Sequence, residues 1–252
     1  ILNIFYFIFN LRRFIGYDVV QFITPFAIPY YFHFFGLTHI LFKFNKFKFY
    51  YTCGTDPAYM SAKNEFKYFP LDDDKSPGEY YPKYNKFSLA YYTWFLREID
   101  NIIPSMYSYA VGYKTNSKLT KPIPLPGANK YENKIKDTND KKIKILFGIT
   151  RRGFKGSKYI LEALELIQSK YDDNVDVSIV ETIPFNEYIK LLEEADVLID
   201  QCRSYDYGMN TIFALEHGCI VLSGSEKKAM NYLEFDNCPV INILPDASDI
   251  FT

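Results

Sequence analysis

Lys144-Ile145-Leu146-Phe147-Gly148-Ile149 and Val197-Leu198-Ile199-Asp200 are short apolar runs, each leading into a glycine-bearing loop and then a helical pattern. Between them, Ser157 to Tyr171 places Ile160, Leu161, Leu164 and Ile167 on one stripe, the mark of an amphipathic helix. Val175 to Val180 reads as a strand and Asn186 to Glu194 as a helix. After Asp200 come a helix over Met209 to Glu216 stopped by Gly218, and a strand over Cys219 to Leu222. A helix over Lys227 to Leu233 and a strand over Val240 to Leu244 follow. Strands alternating with helices at this spacing predict an α/β fold with a parallel sheet and right-handed crossovers. In such sheets ligands bind beyond the carboxyl ends of the strands.

Upstream, the pattern is less regular. Lys118 to Lys142 carries Pro122, Pro124, Pro126 and Gly127 among Lys, Asn and Asp, a linker composition. The expected organisation is a first domain over 1–120, a linker over 121–142 and a second domain over 143–252. In the first, Tyr17 to Ile23 reads as a buried parallel strand, apolar on both faces. Pro29 to Phe42 reads as a buried helix opening on proline, and Phe47 to Cys53 as a second strand running into the turn Gly54-Thr55-Asp56-Pro57. Asn64 to Lys86 reads as a surface loop, Phe87 to Ile103 as a helix stopped by Pro104, and Tyr107 to Tyr113 as an alternating strand.

Composition narrows the classes. Among 252 residues, 29 basic and 30 acidic side chains leave a net charge of −1, so no overall basic field recommends a nucleic-acid partner. Cys53, Cys202, Cys219 and Cys238 form no CxxC pair and read as reduced thiols of a cytosolic protein. Val19 to Phe42 holds no Asp, Glu, Lys or Arg, but Pro25, Pro29 and five polar residues argue against a spanning helix. The Lys-and-Phe alternation over Phe42 to Tyr51 suits a half-exposed strand, with rest on a membrane surface as the alternative. The chain starts at Ile1 and ends at Phe251-Thr252, which suggests a piece of a longer protein.

Three loops fall at strand carboxyl ends. Gly148 to Ser157 holds Arg151, Arg152 and Lys155 just before a helix. Helix N-termini offer unpaired N–H groups, Arg a planar fork and Lys a point charge, together a phosphate or diphosphate site. The alternative is a solvated basic loop. Gln201 to Thr211 places Gly208 at a helix mouth, where backbone approaches an anion or sugar, or else it is a plain connection. Ser223-Gly224-Ser225-Glu226 reads as a turn whose Glu226 favours a helix start.

These parts in this order are Lys155-Gly156, Ala195 to Asp200, Tyr207-Gly208-Met209-Asn210, and His217-Gly218-Cys219-Ile220-Val221-Leu222-Ser223-Gly224. From Lys141 to Thr252 they resemble the C-terminal domain of retaining GT-B glycosyltransferases, the glycosyl transferases group 1 family. The stretch Tyr17 to Phe22 resembles a late strand of that fold's acceptor-side domain, whose opening strand and glycine loop this chain lacks. The resemblance implies two Rossmann-like domains with parallel sheets, the N-terminal one incomplete.

It further implies a nucleotide-sugar donor whose diphosphate meets Arg151, Arg152 and Lys155, and a donor-binding loop of Asp206, Tyr207, Gly208, Met209 and Asn210. The implied activity is retaining, metal-independent hexosyl transfer in polysaccharide biosynthesis. The acceptor hydroxyl belongs to a glycan or lipid-linked molecule held between the domains. No cofactor and no metal are expected, cations and helix dipoles holding the leaving diphosphate. Asp72-Asp73-Asp74 reads as a solvated run, and no catalytic residue is assigned. The expected location is the cytoplasm, with the inner membrane face as an alternative. One departure stands out: Tyr205 and Phe213 occupy positions where the family commonly has Glu. Asp206 and Glu216 are the nearby carboxylates that could substitute, and a catalytically inactive partner in glycan assembly is the second reading. His33 and His39 read as core or helix-face residues, and His217 as a helix C-terminal cation.

Overall fold

A computed structural model of the chain describes residues 2–28, 31–34, 36–71, 83–127 and 142–252. It divides into two compact units, Ile1–Glu65 with Pro82–Pro124, and Phe66–Tyr81 with Leu125–Thr252. Each is a parallel α/β unit, so the fold class read from the sequence holds.

Among the described residues, the smaller unit has three parallel strands, β1 (Val19–Phe22), β2 (Phe47–Thr52) and β3 (Asn101–Pro104), in the order β1-β2-β3. Their core joins Tyr50, Phe95, Ile99 and Ile102 to Leu41, Phe42, Tyr92 and Tyr113. Several local expectations are corrected here. β1 is an edge strand, with Val19 and Gln21 exposed, so it is not buried on both faces. The helix expected over Pro29 to Phe42 is two pieces, Tyr31–Phe34 and Leu37–Lys43, because Gly36 takes φ +71. Its start at Pro29 lies outside the described residues. His39 is exposed and His33 half-buried, their rings stacked 4.6 Å apart. The later helix is Lys86–Glu98, and Asn101–Pro104 peel off as β3 to pair with β2. Ile102 and Ile103 are apolar because they fill a sheet, which periodicity alone does not distinguish from a helix end. Tyr107–Val111 is a helix, not a strand: Ser108, Ala110 and Val111 are its buried residues.

Among the described residues, the second unit has five parallel strands: β4 (Ile143–Ile149), β5 (Val175–Glu181), β6 (Val197–Ile199), β7 (Ile220–Ser223) and β8 (Val240–Asn242). Their spatial order is β5-β4-β6-β7-β8. β4 sits between two neighbours with residues 145–149 buried, which explains its continuous apolar run. β5, at the edge, alternates apolar and polar residues as a half-exposed strand should. The helices Ser157–Tyr171, Phe185–Glu194, Met209–Glu216 and Lys227–Tyr232 connect the strands. Phe147, Ile160, Ala163, Leu164 and Ile199 meet in one core cluster, and Leu146, Leu192, Leu198, Ala214 and Val221 in another.

The segment expected as a surface loop from Asn64 onward is partly buried. Phe69 is 1% exposed, and Phe66 and Tyr68 lie against the Tyr205 ring. The Asp72-Asp73-Asp74 run and most of the Lys118 to Lys142 linker, from 128 to 141, lie outside the described residues. No described helix is long and apolar enough to cross a membrane. Cys202 and Cys219 are buried, Cys53 and Cys238 half-buried, and none of the four forms a disulfide.

Candidate functional site

The strand order of the second unit reverses direction between β4 and β6, so the crossovers leaving these two strands pass to opposite sides. A crevice opens at the carboxyl ends of such a pair. A pocket of about 340 Å³ lies there. Its walls come from the loops after β4 (Thr150, Arg151), β5 (Thr182, Ile183) and β6 (Asp200, Gln201), and from the mouth of the helix Met209–Glu216.

The pocket floor is a buried charge pair. Asp200 ends the Val197–Ile199 strand and is 1% exposed. Lys155 Nζ donates to Asp200 Oδ1 at 2.8 Å and to the Gly148 carbonyl at 2.7 Å. Asn210 Nδ2 donates to the same carboxylate oxygen at 2.7 Å, and Thr211 Oγ1 to the other at 3.2 Å. Burial pushes the Asp200 carboxyl up, but Lys155 and the two polar donors outweigh it and hold it below the usual carboxylate value. The network ties the loop after β4 to the loop after β6 and sets the spacing of both walls.

Arg151 is among the residues lining the pocket, and its guanidinium lies 3.7 Å from the centre of the Phe154 ring, a cation–π stack that orients it. Arg152 points elsewhere. It makes a two-pronged ion pair with Glu181, Nε at 2.9 Å and Nη2 at 2.5 Å from the carboxylate oxygens. Residues Arg152–Lys155 form one short helical turn, which sends neighbouring cations in different directions. Gly156 follows at φ +75. A Cβ there would fall 2.5 Å from Cys202 Sγ, so glycine is needed for both conformation and space.

Gly208 precedes the helix Met209–Glu216 and supplies no side-chain cap. Thr211 N–H donates back to the Gly208 carbonyl at 3.1 Å, while Met209 and Asn210, which open the turn at the positive end of the helix dipole, line the pocket. Gly208, Met209 and Asn210 of the sequence-read loop line the pocket. Asp206 is buried, its backbone N–H bonded to Ser204 Oγ and its carbonyl accepting from Gln201 Nε2 at 2.8 Å. Tyr207 packs against the core cluster under the helix.

The other walls are apolar. Ile149, Val180, Ile183 and Tyr188 line them, and Phe185 meets Phe213 edge-on at 5.3 Å. Gly148 leaves room for Tyr188, since a Cβ there would fall 2.7 Å from its ring. Burial raises the Tyr188 hydroxyl's pKa, followed by the nearby Asp200 charge, so it stays neutral at pH 7. Thr182 holds a left-handed φ of +50, uncommon for a β-branched residue, at the pocket rim.

Tyr205 and Phe213, at the positions noted in the sequence, part company. Phe213 is a pocket wall, whereas Tyr205 is turned into the fold, its hydroxyl accepting from the Lys67 N–H at 3.0 Å. Glu216 is not among the pocket residues, and its carboxylate approaches Gly127. His217 Nδ1 lies 2.6 Å from the Phe213 carbonyl at the helix C-terminus. Sequence reasoning did not single out Asp200, Tyr188, Ile183 or Phe185. The signal for Asp200 was present: a charged residue ending an apolar strand is buried and must find a partner. Among the described residues, no group of three His, Cys, Asp or Glu side chains converges.

No protein-family model matches the chain, and no curated protein does. Among solved structures, it is similar to a Listeria monocytogenes protein described as a UDP-N-acetylglucosamine 2-epimerase, with a TM-score of 0.45 and 8% identity. The match covers 96% of this chain, which spans 65% of that protein.

Proposed function

We propose that the second unit binds the diphosphate of a nucleotide sugar, and that the chain is part of a GT-B-type glycosyltransferase. The observation that carries this reading is the pairing of two anion-seeking features in one pocket. The first turn of the helix Met209–Glu216, with no side-chain cap, and Arg151 both line it, beside an apolar wall fit for a flat ring. Of the three cations read from the sequence, Arg151 leads in this proposal. Lys155 shares its charge with Asp200, and Arg152 reaches a phosphate only by leaving Glu181. In the transfer reaction, charge grows on the leaving diphosphate, and the guanidinium and aligned N–H groups stabilise it there. The glycan or lipid-linked acceptor, the retained stereochemistry and the independence from metal and cofactor belong to the same proposal.

Titrating UDP, GDP and ADP against the protein by calorimetry tests it. Binding of at least one, weakened tenfold or more in Arg151→Ala with unchanged thermal unfolding, supports the assignment. Unchanged affinity in that variant removes the site. A second reading, a fold-retaining partner without catalysis, is favoured by Tyr205 and Phe213, neither of which can act as a carboxylate. Donor hydrolysis or transfer by the full-length protein excludes that reading.

A further inference from the structure

Two cations of the loop after β4 are held by carboxylates, on unequal terms. The Lys155 and Asp200 side chains are 9% and 2% exposed, and the ammonium also donates to the Gly148 carbonyl. Breaking a pair so deeply buried leaves a charge without water, so Lys155 stays where it is. The Arg152 and Glu181 side chains are 46% and 48% exposed. Water screens that pair, so parting it costs little.

The exposed pair sits at the pocket rim. Glu181 lies between Val180 and Thr182, and Arg152 follows Arg151; all three of these neighbours line the pocket. Glu181 is the last rung of the β4–β5 ladder, in register with Ile149. The next N–H, that of Thr182, donates to the Ile149 carbonyl at 3.1 Å. The carboxylate therefore hangs from a fixed strand end. The guanidinium ends a long side chain, which changes direction by rotation about its own bonds with no movement of the backbone. Arg152 is the partner free to swing.

Phosphate chemistry gives it a reason to do so. The planar fork of one guanidinium matches the oxygens of one phosphate group. In the reading above, Arg151 serves one group of the diphosphate, and the second calls for another cation. Lys155 is committed to the pocket floor, which leaves Arg152.

We propose that Arg152 and Glu181 form a latch on this pocket. A bound diphosphate draws the guanidinium off Glu181, and Glu181 is the anion that the ligand must outcompete. The inference rests on the nucleotide-sugar reading and adds selectivity to it. A ligand with one phosphate is met by Arg151 and leaves the latch shut, whereas a diphosphate opens it. Glu181 acts through Arg152, as a positioning residue that sets how many phosphates the pocket rewards.

The test is a double-mutant cycle in calorimetry at low ionic strength, where surface charges are least screened. The probes are UDP, GDP and ADP, their monophosphates, and inorganic pyrophosphate. Losing an exposed ion pair changes an equilibrium by about fivefold at most, so Glu181→Gln tightens the diphosphate that binds, and pyrophosphate, about threefold to fivefold. The monophosphate binds as it does to the parent. Arg152→Ala weakens the diphosphate, and in that background Glu181→Gln changes nothing. The latch is overturned if Glu181→Gln tightens the monophosphate equally, or still tightens the diphosphate beside Arg152→Ala, since the carboxylate then acts only as a repelling field. It is also overturned if Glu181→Gln leaves diphosphate and pyrophosphate binding unchanged or weaker. Pyrophosphate separates the two readings. If it binds and tightens in Glu181→Gln while no nucleotide binds, the latch stands and the nucleotide reading falls. If no probe binds, both fall.

Discussion

Replacing Lys155 with Met tests whether the buried charge pair organises the second unit. The side chains of Lys155 and Asp200 are 9% and 2% exposed, and their contact is 2.8 Å. Methionine fills much of the same volume but leaves the Asp200 carboxylate with only Asn210 and Thr211. Removing one partner of a buried pair costs about 3–5 kcal/mol at pH 7, because the remaining charge stays desolvated. At a slope of about 3 kcal/mol per molar, the urea midpoint falls by about 1–2 M.

The pH dependence supplies the sharper check. In the parent protein the Asp200 carboxyl is held below its ordinary value. Its stabilisation is full above about pH 4 and is lost as pH falls through the lowered folded-state value. In Lys155→Met, burial is no longer overcome, and the folded-state value moves above the unfolded one. Protonation then relieves the folded state, so the deficit relative to the parent shrinks as pH falls from 7 towards 4. Urea unfolding followed by far-ultraviolet circular dichroism at a series of pH values measures this. The double variant Lys155→Met with Asp200→Asn recovers at least about 1 kcal/mol of the loss, since the uncompensated charge is gone. A deficit below about 1 kcal/mol at pH 7, or one that does not vary with pH, refutes the reasoning.

Other expectations are briefer. Gly156→Ala forces a left-handed alanine against Cys202 and costs at least about 1–3 kcal/mol by urea unfolding; a loss below that range would remove the steric argument. Burial, against hydrogen bonds from Tyr113, Tyr50 and the Tyr59 N–H, raises the Asp56 carboxyl, so its contribution is greatest at low pH and declines as pH rises through the folded-state value. Asp56→Asn is therefore expected to remove the gain in urea midpoint that Asp56 contributes on acidification towards about pH 4, where an unperturbed Asp titrates. Arg151→Ala weakens nucleoside diphosphate binding at least tenfold in calorimetry without moving the thermal midpoint, and Arg152→Ala, whose side chain is paired with Glu181, weakens it less.

In the second unit, the alternation of strands and helices was legible residue by residue, down to Ser157–Tyr171 and Met209–Glu216. Burial of a strand on both faces writes a continuous apolar run, and a helix packed on one side writes a stripe, so each element carries its own local record. In the first unit that record misled wherever tyrosines served both environments: Tyr107–Val111 alternates on paper yet winds into a helix. The order β5-β4-β6-β7-β8, which makes the crevice, left no local trace. Neither did the union of Lys155 with Asp200, 45 residues on, or of Lys67 with Tyr205, 138 residues on. The basic loop itself could be read, but not which cation meets the pocket. One turn of helix sends Arg151, Arg152 and Lys155 to a ring, a surface carboxylate and a buried one. Periodicity reports which face of an element avoids water, whereas pairing between distant segments is settled only when the whole chain packs and each buried charge must find its opposite.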